Sequence, residues 1–161
     1  MNIQSLHNLF IILHAAAATI SFFTGSFLIL SKGSTQMQRG HSWYWWTLVG
    51  MVVLLAGAIL VYWQEYTSIE RIIFPGLFVL GIYMLYRAQN AGRLLEAQRN
   101  NWKHDYIEHI GFTLISLFEG FIIVSGLTSG FPGWLVAVLA ILGVLLGRWL
   151  IAFSQRRVRN E

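Results

Sequence analysis

Residues 44–63 read YWWTLVGMVVLLAGAILVYW, a run without a single charge and with aromatic rings at both ends. A helix rises about 1.5 Å per residue, so roughly 20 such residues cross roughly 30 Å of hydrocarbon. Rings with an apolar body and a polar tip settle at the two interfaces, which places Trp43, Tyr44, Trp45 and Trp46 at one edge and Tyr62, Trp63 and Tyr66 at the other. Predominantly apolar runs of similar length lie at 9–30, 72–86, 106–127 and 131–153. The chain is therefore expected to be an all-α integral membrane protein, one domain over 1–161 built as a bundle of five transmembrane helices. Composition agrees: 56% hydrophobic and 11% charged residues with a mean hydropathy of +0.59 exclude disorder and argue against a water-soluble globule. The lipid bilayer is then the first partner, and the expected location is the cell membrane, the inner membrane in a bacterium.

The cations set the orientation, because cytoplasmic loops are enriched in Lys and Arg. Lys32 and Arg39 follow the first run; Arg87, Arg93, Arg99 and Lys103 lie between the third and fourth; Arg148, Arg156, Arg157 and Arg159 close the chain, and only Arg71 falls on the other side. This predicts the N-terminus outside and the C-terminus inside. Residues 1–8 carry no cation, so the first run lacks a signal peptide's basic start and is expected to stay in the protein. The third run opens with Pro75, which suits a first helical turn, and its helix is expected to run on through the polar stretch 87–99. The link TSGFPG at 128–133 is a tight antiparallel hairpin. Gly143 and Gly147 form a GxxxG, and Gly50 and Gly57 share a face of the second helix. Packing within the bundle is the first reading of these small residues, and a homo-oligomer through Gly143 and Gly147 the second.

The absence of Cys removes disulfides, iron–sulfur clusters and thiolate metal sites, leaving histidine as the ligand for any redox metal. The net charge of +4 reads as loop charge rather than a nucleic-acid surface. No phosphate-binding glycine loop, nucleophile elbow or HExxH occurs. The informative residues are those that do not belong in hydrocarbon: His14, His109, Glu119 and Arg148. Arg148 sits near a helix end and snorkels to the interface. His14 and His109 head two copies of His-x6-Ser-x3-Gly, His14-AAAATISFFTG and His109-IGFTLISLFEG, as an inverted repeat of helices one and four would produce. Their depths differ by roughly 18 Å, so they cannot share one metal. Glu119 comes to nearly the level of His14, which allows an outer pair that carries a proton or binds a cation. At the inner face His41, His104 and His109 gather, and two histidines on different helices at one depth ligate a b-type haem from both sides.

His14 with Gly25, His41-Ser-Trp43-Tyr-Trp-Trp and Trp102-Lys-His104-Asp-Tyr together resemble a bacterial family of small multi-span membrane proteins of unknown function, the DUF2306 type, over about residues 10–125. That family has a His and a later Gly on its first span, a His-Arg-Trp-Leu-Gly-Arg motif opening the second, and a further His before a later span. This chain lacks the Arg and Gly after its second His and the Trp-Met of the later motif. The family is itself similar to membrane cytochromes b, and the resemblance implies haem or metal held by these histidines. The expected function is a His-dependent redox or electron-transfer membrane protein binding haem b or a metal, with His41 and His109 as first ligands and His104 as substitute. A non-catalytic membrane subunit or scaffold, or a small proton-coupled transporter using His14 and Glu119, are the alternatives.

Overall fold

The structure, a computed structural model, describes residues 2–31, 34–98 and 102–159, and within these the side chains of all but 34, 35, 127, 128, 133, 137, 150 and 154–159. Lys32 and Arg99 lie outside the described residues, as do the side chains of Arg156, Arg157 and Arg159. Five helices account for the described chain: α1 Ile3–Leu30, α2 Ser34–Tyr62, α3 Glu70–Ala97, α4 Trp102–Thr128 and α5 Gly133–Arg159, with no strand among the described residues. All five are long and apolar enough to cross a membrane.

Local chemistry sets the ends. Asn2 caps α1 by accepting the Ser5 N–H at 2.7 Å. Before α3, Thr67 and Glu70 form a capping box: the Thr67 N–H and hydroxyl donate to the Glu70 carboxylate at 2.8 Å, and the Glu70 N–H points back at Thr67 Oγ1. α3 starts at Glu70, so Pro75 lies in its second turn and not its first, where it leaves the Arg71 carbonyl without a helical donor. The helix does run on through the polar stretch to Ala97 and stops at Gln98, which is left-handed at φ 42°. The α4–α5 hairpin closes as a Schellman turn: Gly130 takes φ +75° and the Phe131 N–H donates to Gly126 O at 3.0 Å.

The expected five-membered bundle is a ring of four with a fifth helix outside it. α1 packs on α2, α2 on α3, α3 on α4 and α4 on α1, whereas α5 packs mainly on α4. α2 and α4 face each other across the ring and bury 39% of their most apolar windows, against 11%, 17% and 12% for α1, α3 and α5. Large apolar side chains such as Phe23, Leu60, Ile72 and Leu146 cover the outside, as a lipid-facing surface requires.

Two readings of small and aromatic residues change. Trp43 and Trp46 are exposed, but Tyr44 is fully buried and Tyr66 nearly so. Tyr44 falls on the inward stripe Met37, His41, Tyr44, Leu48 and Met51, one helical turn apart, which directs it into the core. Burial and the nearby Glu70 carboxylate push the Tyr66 hydroxyl up to about 12. Gly143 and Gly147 are occupied within the chain: Gly147 receives Ile115 and Gly143 receives Glu119, while Gly111 receives Ile151 in return. This alternation lets α4 and α5 approach closely, and it takes the GxxxG face away from any dimer seam. Gly57 receives Phe10, but nothing lies near Gly50. Gly147→Val is therefore expected to lower stability by about 1–3 kcal/mol through overpacking against Ile115. Gly50→Ala is expected to be neutral or to gain up to about 1 kcal/mol in helix propensity. Denaturation of the two variants in mixed micelles checks both, and equal losses would overturn the α4–α5 assignment.

Candidate functional site

α1, α2 and α4 build a polar interior at the level of residues 21, 44 and 113. The Ser21 hydroxyl donates to Thr47 Oγ1 at 2.9 Å, and the Thr47 hydroxyl donates in turn to the Tyr44 carbonyl at 2.9 Å. Thr113 uses its one proton on the Ile110 carbonyl at 2.7 Å, so the Tyr44 hydroxyl is the donor of the short bond to Thr113. Each chain ends on a helix carbonyl, and no hydroxyl in it is orphaned. Such a network joins helices rather than offering reactivity.

His41 belongs to this packing. It sits inside α2, not ahead of it, because the helix starts at Ser34, and it is 9% exposed. Its Nδ1 lies 3.2 Å from the Tyr106 hydroxyl, and the ring reaches the Ala88 backbone carbonyl on α3. Gly92 permits that approach, since a Cβ there would lie 2.7 Å from Nε2. Nδ1 thus meets the Tyr106 hydroxyl, while Nε2 lies against the α3 backbone at Gly92. His109 differs: its Nδ1 is buried with no hydrogen-bond partner, and its neighbours in charge are Arg87, Glu108 and Asp105. His104 is exposed beside the Asp105 carboxylate at 3.3 Å. Among the described residues no group of three or more His, Cys, Asp or Glu comes together as a metal site, and neither of the two cavities described below is lined by both His41 and His109. Arg87, at the start of the polar stretch through which α3 runs on, is half-buried against α4, with its guanidinium 5.0 Å from the Phe112 ring and 3.8 Å from the Glu108 carboxylate.

His14 and Glu119 are not a pair. Gly25 packs on Leu114, so the antiparallel register sets His14 opposite Ser125 and Glu119 opposite Ile20, about 9 Å apart along the axis. Their directions differ as well. The His14 Nδ1–H donates to the Met51 carbonyl at 2.9 Å on α2, whereas the Glu119 carboxyl lies on Gly143 of α5 with both oxygens buried and without a hydrogen-bond partner. The two copies of His-x6-Ser-x3-Gly likewise do different work, since Ser21 bonds across to α2 and Ser116 bonds its own helix at Phe112.

A cavity of about 580 Å³ occupies the middle of the ring. Its wall is almost wholly apolar, with Met51, Leu55, Leu77, Met84 and Leu117 among its lining side chains, and its mouth opens between α1 and α4 past the exposed Phe23 and Phe121. Those two helices are the least closely packed neighbours of the ring. His14 is the only imidazole in the wall, and Thr19, Ser116 and Ser125 are the hydroxyls. Because Met51 fixes the His14 proton on Nδ1, Nε2 presents a lone pair that no described residue uses. His7, outside the apolar runs and so not a candidate from sequence, follows the same pattern, donating from Nδ1 to Ala58 O at 3.2 Å with its ring stacked on Tyr62.

A second recess, of about 660 Å³, lies between α2 and α3 at the end of the ring that carries Arg87 and Lys103. Its lining is polar, and His41 forms its floor. No family model, curated protein or solved structure matches the chain.

Proposed function

We propose that this protein binds a lipid-soluble, hydroxyl-bearing molecule, such as a quinol with an apolar tail, in the cavity of the four-helix ring. One observation carries this reading: in an otherwise apolar wall the His14 imidazole is turned, by its bond to the Met51 carbonyl, so that an acceptor nitrogen is available. A ligand with an O–H satisfies that acceptor, and its apolar body fills the remaining wall. Entry is lateral, from the bilayer through the α1–α4 mouth, with the N-terminus outside and the C-terminus inside. A quinol keeps the redox character expected from the histidines, while recognition rests on His14 alone.

The test is thermal stability of delipidated protein in mild detergent, titrated with a short-chain quinol and with its dimethyl ether. The quinol is expected to raise the unfolding temperature and the ether to do so far less, since only the quinol donates. His14→Ala is expected to weaken quinol binding about tenfold, the worth of one hydrogen bond of about 1.4 kcal/mol. Equal binding of ether and quinol, or an unaffected His14→Ala, would sink the reading.

A haem or metal held by His41 and His109 is a second reading, favoured by the partnerless Nδ1 of His109. It requires His41 to turn a nitrogen away from the Tyr106 hydroxyl or from the α3 backbone at Gly92. A reduced-minus-oxidised spectrum with metal analysis decides it: a band lost in His109→Ala supports ligation, and a colourless, metal-free protein removes it.

A further inference from the structure

The recess between α2 and α3 is independent of the central cavity. Gln38, Ser42 and Trp45 form its α2 wall and Gln89, Arg93 and Glu96 its α3 wall. Two features separate it from an ordinary solvated groove. Arg93 and Glu96 lie one turn apart on the same side of α3, and neither has a hydrogen bond or ion pair among the described residues, Glu96 acting on the buried His41 of the floor through its charge alone. The recess is also placed at a membrane edge. His41 packs on Gly92 and Val52 on Gly81, an antiparallel register that sets the exposed Trp43 and Trp46 level with residues 90 and 87 of α3. Interfacial tryptophans mark the depth at which headgroups begin. Arg93 is thus about one turn outside that level and Glu96 about one turn, roughly 4.5 Å, farther out.

We propose that this recess binds a phosphate joined through a two-carbon link to a primary ammonium, the headgroup of phosphatidylethanolamine. The order along α3 matches the order along the lipid. Acyl chains and ester groups lie deepest, beside Trp45 and Gln89. The phosphate follows, at Arg93 and within reach of the Ser42 hydroxyl. The ammonium is outermost, at the Glu96 carboxylate and the Gln38 amide oxygen. Arg supplies several N–H donors to a phosphate in a fixed fork, and a carboxylate takes hydrogen bonds from a primary ammonium that a quaternary one lacks. A purely anionic headgroup leaves Glu96 facing a negative charge. The recess therefore prefers ethanolamine lipid over both choline and glycerol lipids.

The experiment is native mass spectrometry of the full chain in mild detergent with phosphatidylethanolamine, phosphatidylcholine and phosphatidylglycerol of identical acyl chains in equal amounts. Retention of the ethanolamine lipid is expected to exceed that of the other two about tenfold, the factor of one charge-assisted hydrogen bond at a partly screened site. Glu96→Gln is expected to bring the three lipids within about twofold of each other, and Arg93→Gln to lower retention of all three about tenfold. Both side chains are exposed, so the variants keep the fold, and quinol binding in the central cavity stays as in the parent. Competition by free glycerophosphoethanolamine separates the sources: displacement only by intact lipid assigns a membrane ligand, and displacement by the free headgroup assigns the same chemistry to a solute. Equal retention of the three lipids by the parent protein, or a preference that survives Glu96→Gln, overturns the proposal.

Discussion

Tyr44→Ala is expected to lower stability by about 3 kcal/mol, near the lower end of the range for emptying a buried aromatic site. Lipid replaces water around the unfolded helices, so the loss is mainly packing and not transfer from water. The site is unusually well filled: Tyr44 has no exposed surface, and its ring edge would lie 2.9 Å from a Cβ at Gly25 of α1. The same ring stands between α2 and α4, so its removal loosens three helices. Tyr44→Phe keeps the ring and removes only the donor to Thr113, and about 1 kcal/mol is expected. Thr113 still holds its own proton on Ile110, so no buried donor is orphaned by that change. Denaturation followed by circular dichroism in mixed micelles measures both. A Tyr44→Ala loss no larger than that of Tyr44→Phe would mean that the ring faces lipid and that the α2–α4 contact is misassigned.

Helix number and connectivity were legible because hydropathy and length decide them, and the tight link before α5 was legible because Gly130 and Pro132 leave little else. The arrangement around the ring was not. A helix such as α5, apolar on nearly every side, shows no contrast between its protein face and its lipid face, so nothing in residues 133–153 places it outside the ring. Tyr44 was read with Trp43, Trp45 and Trp46 because membrane-edge aromatics suit an interface. The inward stripe through Met37, His41 and Leu48 separates it from them. Pairing His14 with Glu119 rested on depth alone and left out direction: Glu119 repeats at four-residue steps with Gly111 and Ile115, the face that meets α5, and not with His109, Thr113 and Ser116. The cavity itself had no signal in the sequence, since it is the space left where α1 and α4 pack loosely.

Glu119→Met is expected to stabilise the protein by about 1–3 kcal/mol, the cost of a buried polar group left without a hydrogen bond. The carboxyl is 8% exposed and both oxygens are without a hydrogen bond, so in lipid either the charge is unsolvated or the acid O–H is unsatisfied. Methionine follows the same path over Gly143 and leaves no polar atom behind. Glu119→Gln is expected to gain less, because its amide is orphaned in the same place. The sign of the result carries the information. If Glu119→Met stabilises and leaves quinol binding unchanged, the acid serves something other than folding and ligand recognition, which is the condition under which a proton-coupled role for it is worth measuring. If Glu119→Met destabilises by more than about 1 kcal/mol, the carboxyl is satisfied in the purified protein by a group such as a buried water, and its assignment as an unpaired acid is overturned.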